Sequence, residues 1–274
     1  MQKSVVTGSF DDLRSSDVRF LEEAAGRGEL HVFLWSDEVA RRLDGRNPEF
    51  PLSERMYLVQ AIRYVHEVHL VDQLADRDSL PPYTECLADT WVVDEPNDTA
   101  KKRAFCAAYG MNFQVVKRAV LQVFPKYQNQ PVLEERSGRK KVVVTGCYDW
   151  FHSGHVRFFE EASQLGDLYV VAGSDQNVQL LKGDGHPMFL QDERRYVVQS
   201  IKYVKQALIS SGSGWMDAEP EMALIRPAIY VVNEDGDQPE KRSYCETHGI
   251  QYVLLSRTPK EGLPRRQSVD LRGF

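Results

Sequence analysis

Short β-branched runs alternate along the chain with stretches of helical spacing, and the clearest instance starts near its middle. Residues 142–144 (VVV) form a strand-like run, Thr145-Gly146 reads as a turn, and a helix is expected from about Ser153. Its apolar positions Val156, Phe159 and Ala162 recur at helical spacing towards a C-terminal cap at Gly166. Residues 168–172 are apolar throughout and predict a buried strand; residues 229–232 predict another, with a helix from about Pro239. Between them, residues 210–219 are small and polar apart from Trp215 and Met216, which predicts a mobile loop. Strands and helices alternating on this spacing predict an α/β fold: a parallel sheet covered on both faces, with ligand at the carboxyl ends of the strands.

The pattern occurs twice. Residues 5–37 match residues 143–175 at 17 of 33 positions without a gap. The register then continues, with SERMYLVQAIRYV from Ser53 parallel to DERRYVVQSIKYV from Asp192, and WVVDEPNDTAKKRAFCAAYG from Trp91 parallel to YVVNEDGDQPEKRSYCETHG from Tyr230. A repeat this long is a duplicated domain rather than a solenoid unit. The expected division is a domain over 1–123, a polar and aperiodic linker over 124–141, and a second domain over 142–274.

Composition narrows the class. The 274 residues are 42% hydrophobic and 27% charged, a globular balance, and no apolar run reaches the length of a membrane span. The polar start MQKSVV lacks the apolar core of a signal peptide, so a cytoplasmic location is expected. Cys86, Cys106, Cys147 and Cys245 form no CxxC and suggest reduced thiols. A net charge of −6 argues against a nucleic-acid partner, and nothing in the pattern calls for a membrane.

The candidate chemistry lies at 146–155, GCYDWFHSGH. A helix starting near Ser153 leaves its first backbone N–H groups unpaired and turns the positive end of its dipole to the preceding loop, which suits phosphate. His152 and His155 are three apart and can grip one ligand together. Gly146 and Gly154 are expected to let a phosphate approach the backbone. A zinc reading of the histidine pair finds no second pair of ligands at a suggestive spacing. In the first copy Arg14, Ser16 and Asp17 stand in place of His152, Gly154 and His155, and Asp44 in place of Lys182. That copy is expected to keep the fold but not the phosphate site, since Asp17 repels an anion there. Trp150 and Phe151 are expected to pack beneath the loop. Arg257, Lys260, Arg265, Arg266 and Arg272 against Glu261 and Asp270 make the C-terminal segment a local basic patch.

GCYDWFHSGH resembles the GxFDxxHxGH signature of the nucleotidyltransferase superfamily that includes the cytidylyltransferases, and the duplicated plan with a degenerate first copy resembles its tandem-repeat cytidylyltransferases. The resemblance implies two Rossmann-like domains packed as an intramolecular pseudo-dimer, with a further homodimer an option. It implies catalytic roles for His152, His155 and Lys182, the last because Lys182-Gly183-Asp184 with Pro187 is similar to the family's KGxxP segment, with one residue more before the proline. It nominates Gly146, Cys147, Tyr148, Asp149, Gly154 and Arg194 for nucleotide binding. Asn233 and Asp235 follow from the acidic segment after the 229–232 strand, and Arg257, Thr258 and Ser268 from a segment similar to RTxGxSTT. Arg194 has a second reading, a structural ion pair, because Arg55 occupies its place in the first copy. The implied reaction transfers CMP from CTP to a small phosphorylated metabolite with loss of pyrophosphate, Mg²⁺ being held mainly by the phosphates. An ATP-dependent reaction on a sugar phosphate, echoed by LLKGD and DGDQPE, is the alternative, and a non-catalytic nucleotide-binding protein is a third.

Overall fold

The computed structural model describes residues 2–81, 88–125 and 138–266 and divides into two units, Met1–Phe124 and Pro125–Phe274. Cys86, Ser268, Asp270, Arg272 and most of the expected linker lie outside the described residues. The first unit runs β1 (Lys3–Gly8), α1 (Ser15–Ala25), β2 (Glu29–Trp35), α2 (Asp37–Asp44), α3 (Leu52–Ala61), β3 (Val65–Val71), β4 (Thr90–Asp94), α4 (Ala100–Tyr109), β5 (Asn112–Val116) and α5 (Arg118–Leu121). The second runs β6 (Lys141–Gly146), α6 (Ser153–Gln164), β7 (Asp167–Ala172), α7 (Asp175–Lys182), α8 (Gln191–Gln199), β8 (Val204–Ile209), α9 (Glu219–Ile225), β9 (Ile229–Asn233), α10 (Pro239–His248) and β10 (Gln251–Leu255).

Each unit is a five-stranded, all-parallel sheet, ordered β3-β2-β1-β4-β5 in the first and β10-β9-β6-β7-β8 in the second. The chain leaves the central strand in one direction and then returns to build the other side, so the strand order reverses between β6 and β9. That reversal opens a crevice at their carboxyl ends. Burial explains the apolar runs, because Val142, Val143 and Val144 are fully covered on both faces of the sheet. On one face Val143, Tyr169, Tyr230 and Val232 pack with Met222 and Ile225 of α9 and Cys245 of α10. Val5, Trp91, Val93 and Cys106 form the matching cluster in the first unit. No helix among the described residues is long and apolar enough to cross a membrane.

Three local expectations change. Thr145 and Gly146 complete β6, and the turn starts at Cys147. Helix α6 ends with Leu165 in right-handed geometry at its C-cap rather than at Gly166. Gly166 is needed for space, since a Cβ there would lie 2.0 Å from the Lys140 carbonyl oxygen. The 210–219 segment is tied down: Gly214 exchanges two hydrogen bonds with the Asn177 side chain, at 2.7 and 3.2 Å, and Ser174 N–H donates to Ser210 Oγ.

Candidate active site

Strand β6 delivers the chain to the crevice at Gly146, and the next residues reverse it sharply. Tyr148 takes a left-handed φ of 54°, as Phe10 does (46°) at the same place in the first unit. This turn folds the Tyr148 ring back over Gly146, where a Cβ would meet ring carbon Cζ at 2.8 Å. Gly146 therefore makes room for Tyr148. Gly154 likewise makes room for a neighbour, because its Cβ would lie 2.9 Å from Cε1 of His152.

The two histidines build the start of α6. His152 is the N-cap: its Nδ1 accepts the Gly154 N–H at 3.1 Å, and the His155 Nδ1 accepts the His152 N–H at 3.3 Å. Their rings stack with centroids 4.0 Å apart. Since each Nδ1 is an acceptor, each neutral ring carries its proton on Nε2. Burial keeps them neutral, pushing His152 down to about 3 and His155 well below its ordinary value. Arg257 adds to the depression of both. The pair is thus two uncharged N–H donors. His155 faces the crevice, whereas His152 is fully buried and its Nε2 has no partner among the described residues.

The crevice holds about 400 Å³ and brings together His155, Gly146, Cys147, Tyr148, Asp149, Lys182, Asn233, Asp235 and Arg257 of the expected set. Lys182, the last residue of α7, is exposed and has no ion pair among the described residues. Burial raises the Cys147 thiol, which keeps it protonated. Asp149 has a structural task as well: it accepts the N–H groups of Met188 and Phe189 at 2.7 and 3.1 Å and pairs with His186 at 2.7 Å. Asp11 does the same for Glu49 and Phe50 in the first unit.

Arg194 is not on the crevice wall. It is 2% exposed, and its guanidinium donates to the carbonyls of Phe189, Cys147 and Gly173 and to Asp175. Arg55 binds Phe50, Ser9, Trp35 and Asp37 in the same way, so the structural reading of this arginine holds. Gly154 and Thr258 line a small neighbouring pocket with Arg257 and Arg266. The basic patch is also partnered, with Arg257 on Asp235, Lys260 on Glu160 at 2.9 Å and Arg265 near Glu234 at 3.8 Å. Trp150 is buried against Phe189, and Trp215 stands 46% exposed on the crevice.

Asn177, Asp217 and Lys241 also line the crevice and were not singled out from sequence. Burial raises the Asp217 carboxyl, and Lys241 donates to the Gly236 carbonyl at 2.9 Å. A signal existed for Asn177: the first copy has Val39, 2% exposed, at the equivalent position. The first unit's crevice is smaller, about 260 Å³, and lined by Asp11, Asp17, Asp44 and Asp94. Trp35 stands there where the second unit has Gly173, its Nε1 donating to Thr7 Oγ1 at 2.6 Å.

Comparison with known proteins agrees in region. The family model described as cytidylyltransferase-like matches residues 143–255. The chain is similar to the FAD synthase of Aciduliprofundum boonei, at 36% identity over 125 residues, 44% of this chain and 80% of that protein. It is also similar to the bifunctional protein HldE of Campylobacter concisus, at 35% identity over 134 residues, 47% of this chain and 26% of that protein. The chain thus spans about a quarter of the length of the HldE proteins it matches. Among solved structures, a lipopolysaccharide core biosynthesis protein from Thermoplasma volcanium aligns at 22% identity with a TM-score of 0.37, covering 44% of this chain and 98% of that one.

Proposed function

Because the chain belongs to the cytidylyltransferase-like family of nucleotidyltransferases, we propose that its second unit transfers CMP from CTP to a small phosphorylated metabolite. The observation that carries this reading is the pair of neutral imidazoles at the start of α6, with protons on Nε2, beside a crevice that also presents Lys182 and Arg257. An acceptor phosphate oxygen attacks the α-phosphorus in line. The bond to the bridging oxygen of the β-phosphate breaks, and its electron pair leaves on pyrophosphate. His155 donates to the charge that develops on the transferring group, and the α6 N-terminus adds its dipole. His152, whose buried Nε2 lacks a partner among the described residues, joins once the triphosphate displaces the segment around Arg257 and Arg266. Arg257 exchanges Asp235 for phosphate oxygens, and Lys182 follows the moving phosphates on its flexible stem. Mg²⁺ would supply further charge neutralisation, held chiefly by the phosphates because Asp149 is committed to the 186–189 loop.

A second reading, ATP as donor with a sugar phosphate as acceptor, is favoured by the HldE relatives together with the LLKGD and DGDQPE wording. Titrating CTP and ATP separately, each with Mg²⁺, into wild type and the His152→Ala/His155→Ala variant distinguishes the donors. CTP should bind wild type more tightly and lose affinity in the variant. In a pyrophosphate-release assay His155→Ala alone should lose about a hundred-fold in rate, roughly 3 kcal/mol for one preorganised donor. Turnover within a few-fold of wild type would remove the histidines from the mechanism.

A further inference from the structure

Three of the chain's seven histidines stand together in the first unit, away from either crevice: His31 on β2, and His66 and His69 on β3. The register between these strands shifts after Leu30, which pairs with Val65 while His31 pairs with Glu67, leaving His66 as the extra residue of a bulge. The shift turns Glu67 and His69 towards His31. His31 Nδ1, His69 Nε2 and Glu67 Oε2 form a triangle with sides of 2.9, 3.6 and 3.7 Å. A point equidistant from these three atoms lies about 2.0 Å from each, the bond length of Zn²⁺ to imidazole nitrogen and carboxylate oxygen.

We propose that His31, Glu67 and His69 are a binding site for a transition-metal ion of the Zn²⁺ class. Two imidazoles and one carboxylate suit that borderline-soft ion, and three protein ligands leave its fourth position for water or for the nearby His66. On binding, the ion replaces the hydrogen bond between His31 Nδ1 and His69 Nε2, and each neutral ring carries its one proton on the far nitrogen. For His31 that atom is Nε2, buried and without a hydrogen-bond partner among the described residues. Glu29 and His66 bring further ligand-type atoms within 4.8 Å of a His31 nitrogen. His31 is 3% exposed and fixed by the strand, while Glu67 is largely exposed and free to close on an ion.

The duplication is an internal control. The second unit builds the same bulge, pairing Leu168 with Val204 and Tyr169 with Gln206, yet holds Tyr169, Gln206 and Leu208 where the first unit has His31, Glu67 and His69. Where the first has Glu29 and His66, it has the ion pair of Asp167 with Lys205 at 2.8 Å. The fold does not require histidines here, so a ligand accounts for them better than packing does.

The test uses the untagged full chain, stripped with chelator and titrated with Zn²⁺ by calorimetry and with Co²⁺ by visible absorption. One equivalent per chain should bind, and Co²⁺ should give the strong visible bands of a tetrahedral site. The His31→Tyr/Glu67→Gln/His69→Leu variant imports the second unit's own residues and should fold but lose stoichiometric binding. His69→Leu alone, checked for folding by circular dichroism, should weaken binding at least tenfold. The His152→Ala/His155→Ala variant should bind as wild type does. No binding to wild type, equal binding to the triple variant, or loss of binding only in the His152/His155 variant would each overturn the proposal.

Discussion

Asp17 shows what one substitution does to a phosphate site. It occupies the place of His155 and keeps half of that residue's structural work, accepting the Arg14 N–H at 2.8 Å. It cannot keep the chemistry, because an acceptor now faces the crevice where the other copy presents a donor. Burial, with the charges of Asp12 and Asp94, raises its carboxyl to about 6. A folded-state value above the unfolded one means stability that is fully present below about pH 4 and lost as the pH rises through 6. Asp17→Asn keeps the acceptor oxygen and removes the charge. Thermal melts should show it stabilised by on the order of 1–2 kcal/mol at pH 8, with the gain gone at pH 4. A gain independent of pH would mean that charge is not the cause.

At the scale of elements, both copies solve the same problem: three loops must meet at the carboxyl ends of the strands without orphaned carbonyls. Arg194 and Arg55 solve it by reaching from α8 and α3 into the loops after the first two strands of each sheet. The ER pair opening these helices was legible in the sequence, but whether its arginine served ligand or scaffold was not. Only the buried geometry separates the two. Arg194→Met and Arg55→Met should each cost about 3 kcal/mol or more, since each leaves buried acceptors unpaired. Calorimetry should place the two losses in different units, and nucleotide affinity should fall for Arg194→Met alone. The glycines of the signature teach a similar lesson. Their positions were readable, but not that they admit Tyr148 and His152, side chains whose rotamers no spacing rule supplies.

For the whole molecule, the duplication means one framework carried twice and one crevice open. Trp35 in place of Gly173 occupies space at the end of the second strand of the sheet, and the acids Asp17, Asp44 and Asp94 repel a triphosphate from what remains. The chain should therefore bind one nucleotide, not two. Gly173→Trp imports the first unit's own blockade and should abolish nucleotide binding while circular dichroism stays that of wild type. Titrations returning two nucleotides per wild-type chain, or an unaffected Gly173→Trp variant, would contradict this account.

The sequence by itself determined the strand–helix alternation, the repeat and the signature loop, because periodicity and one-to-one matching are local properties of a chain. It also placed the two histidines and Lys182, since three residues of helix bring side chains to one side wherever the helix sits. The tertiary structure decided what depends on burial and on approach between distant segments. It made the histidines neutral donors, turned Arg194 into a clamp, seated the basic C-terminal segment on acidic partners, and gathered His31, Glu67 and His69 across a bulge. Those outcomes rest on desolvation and on distances between strands, and neither is written in the order of residues along one of them.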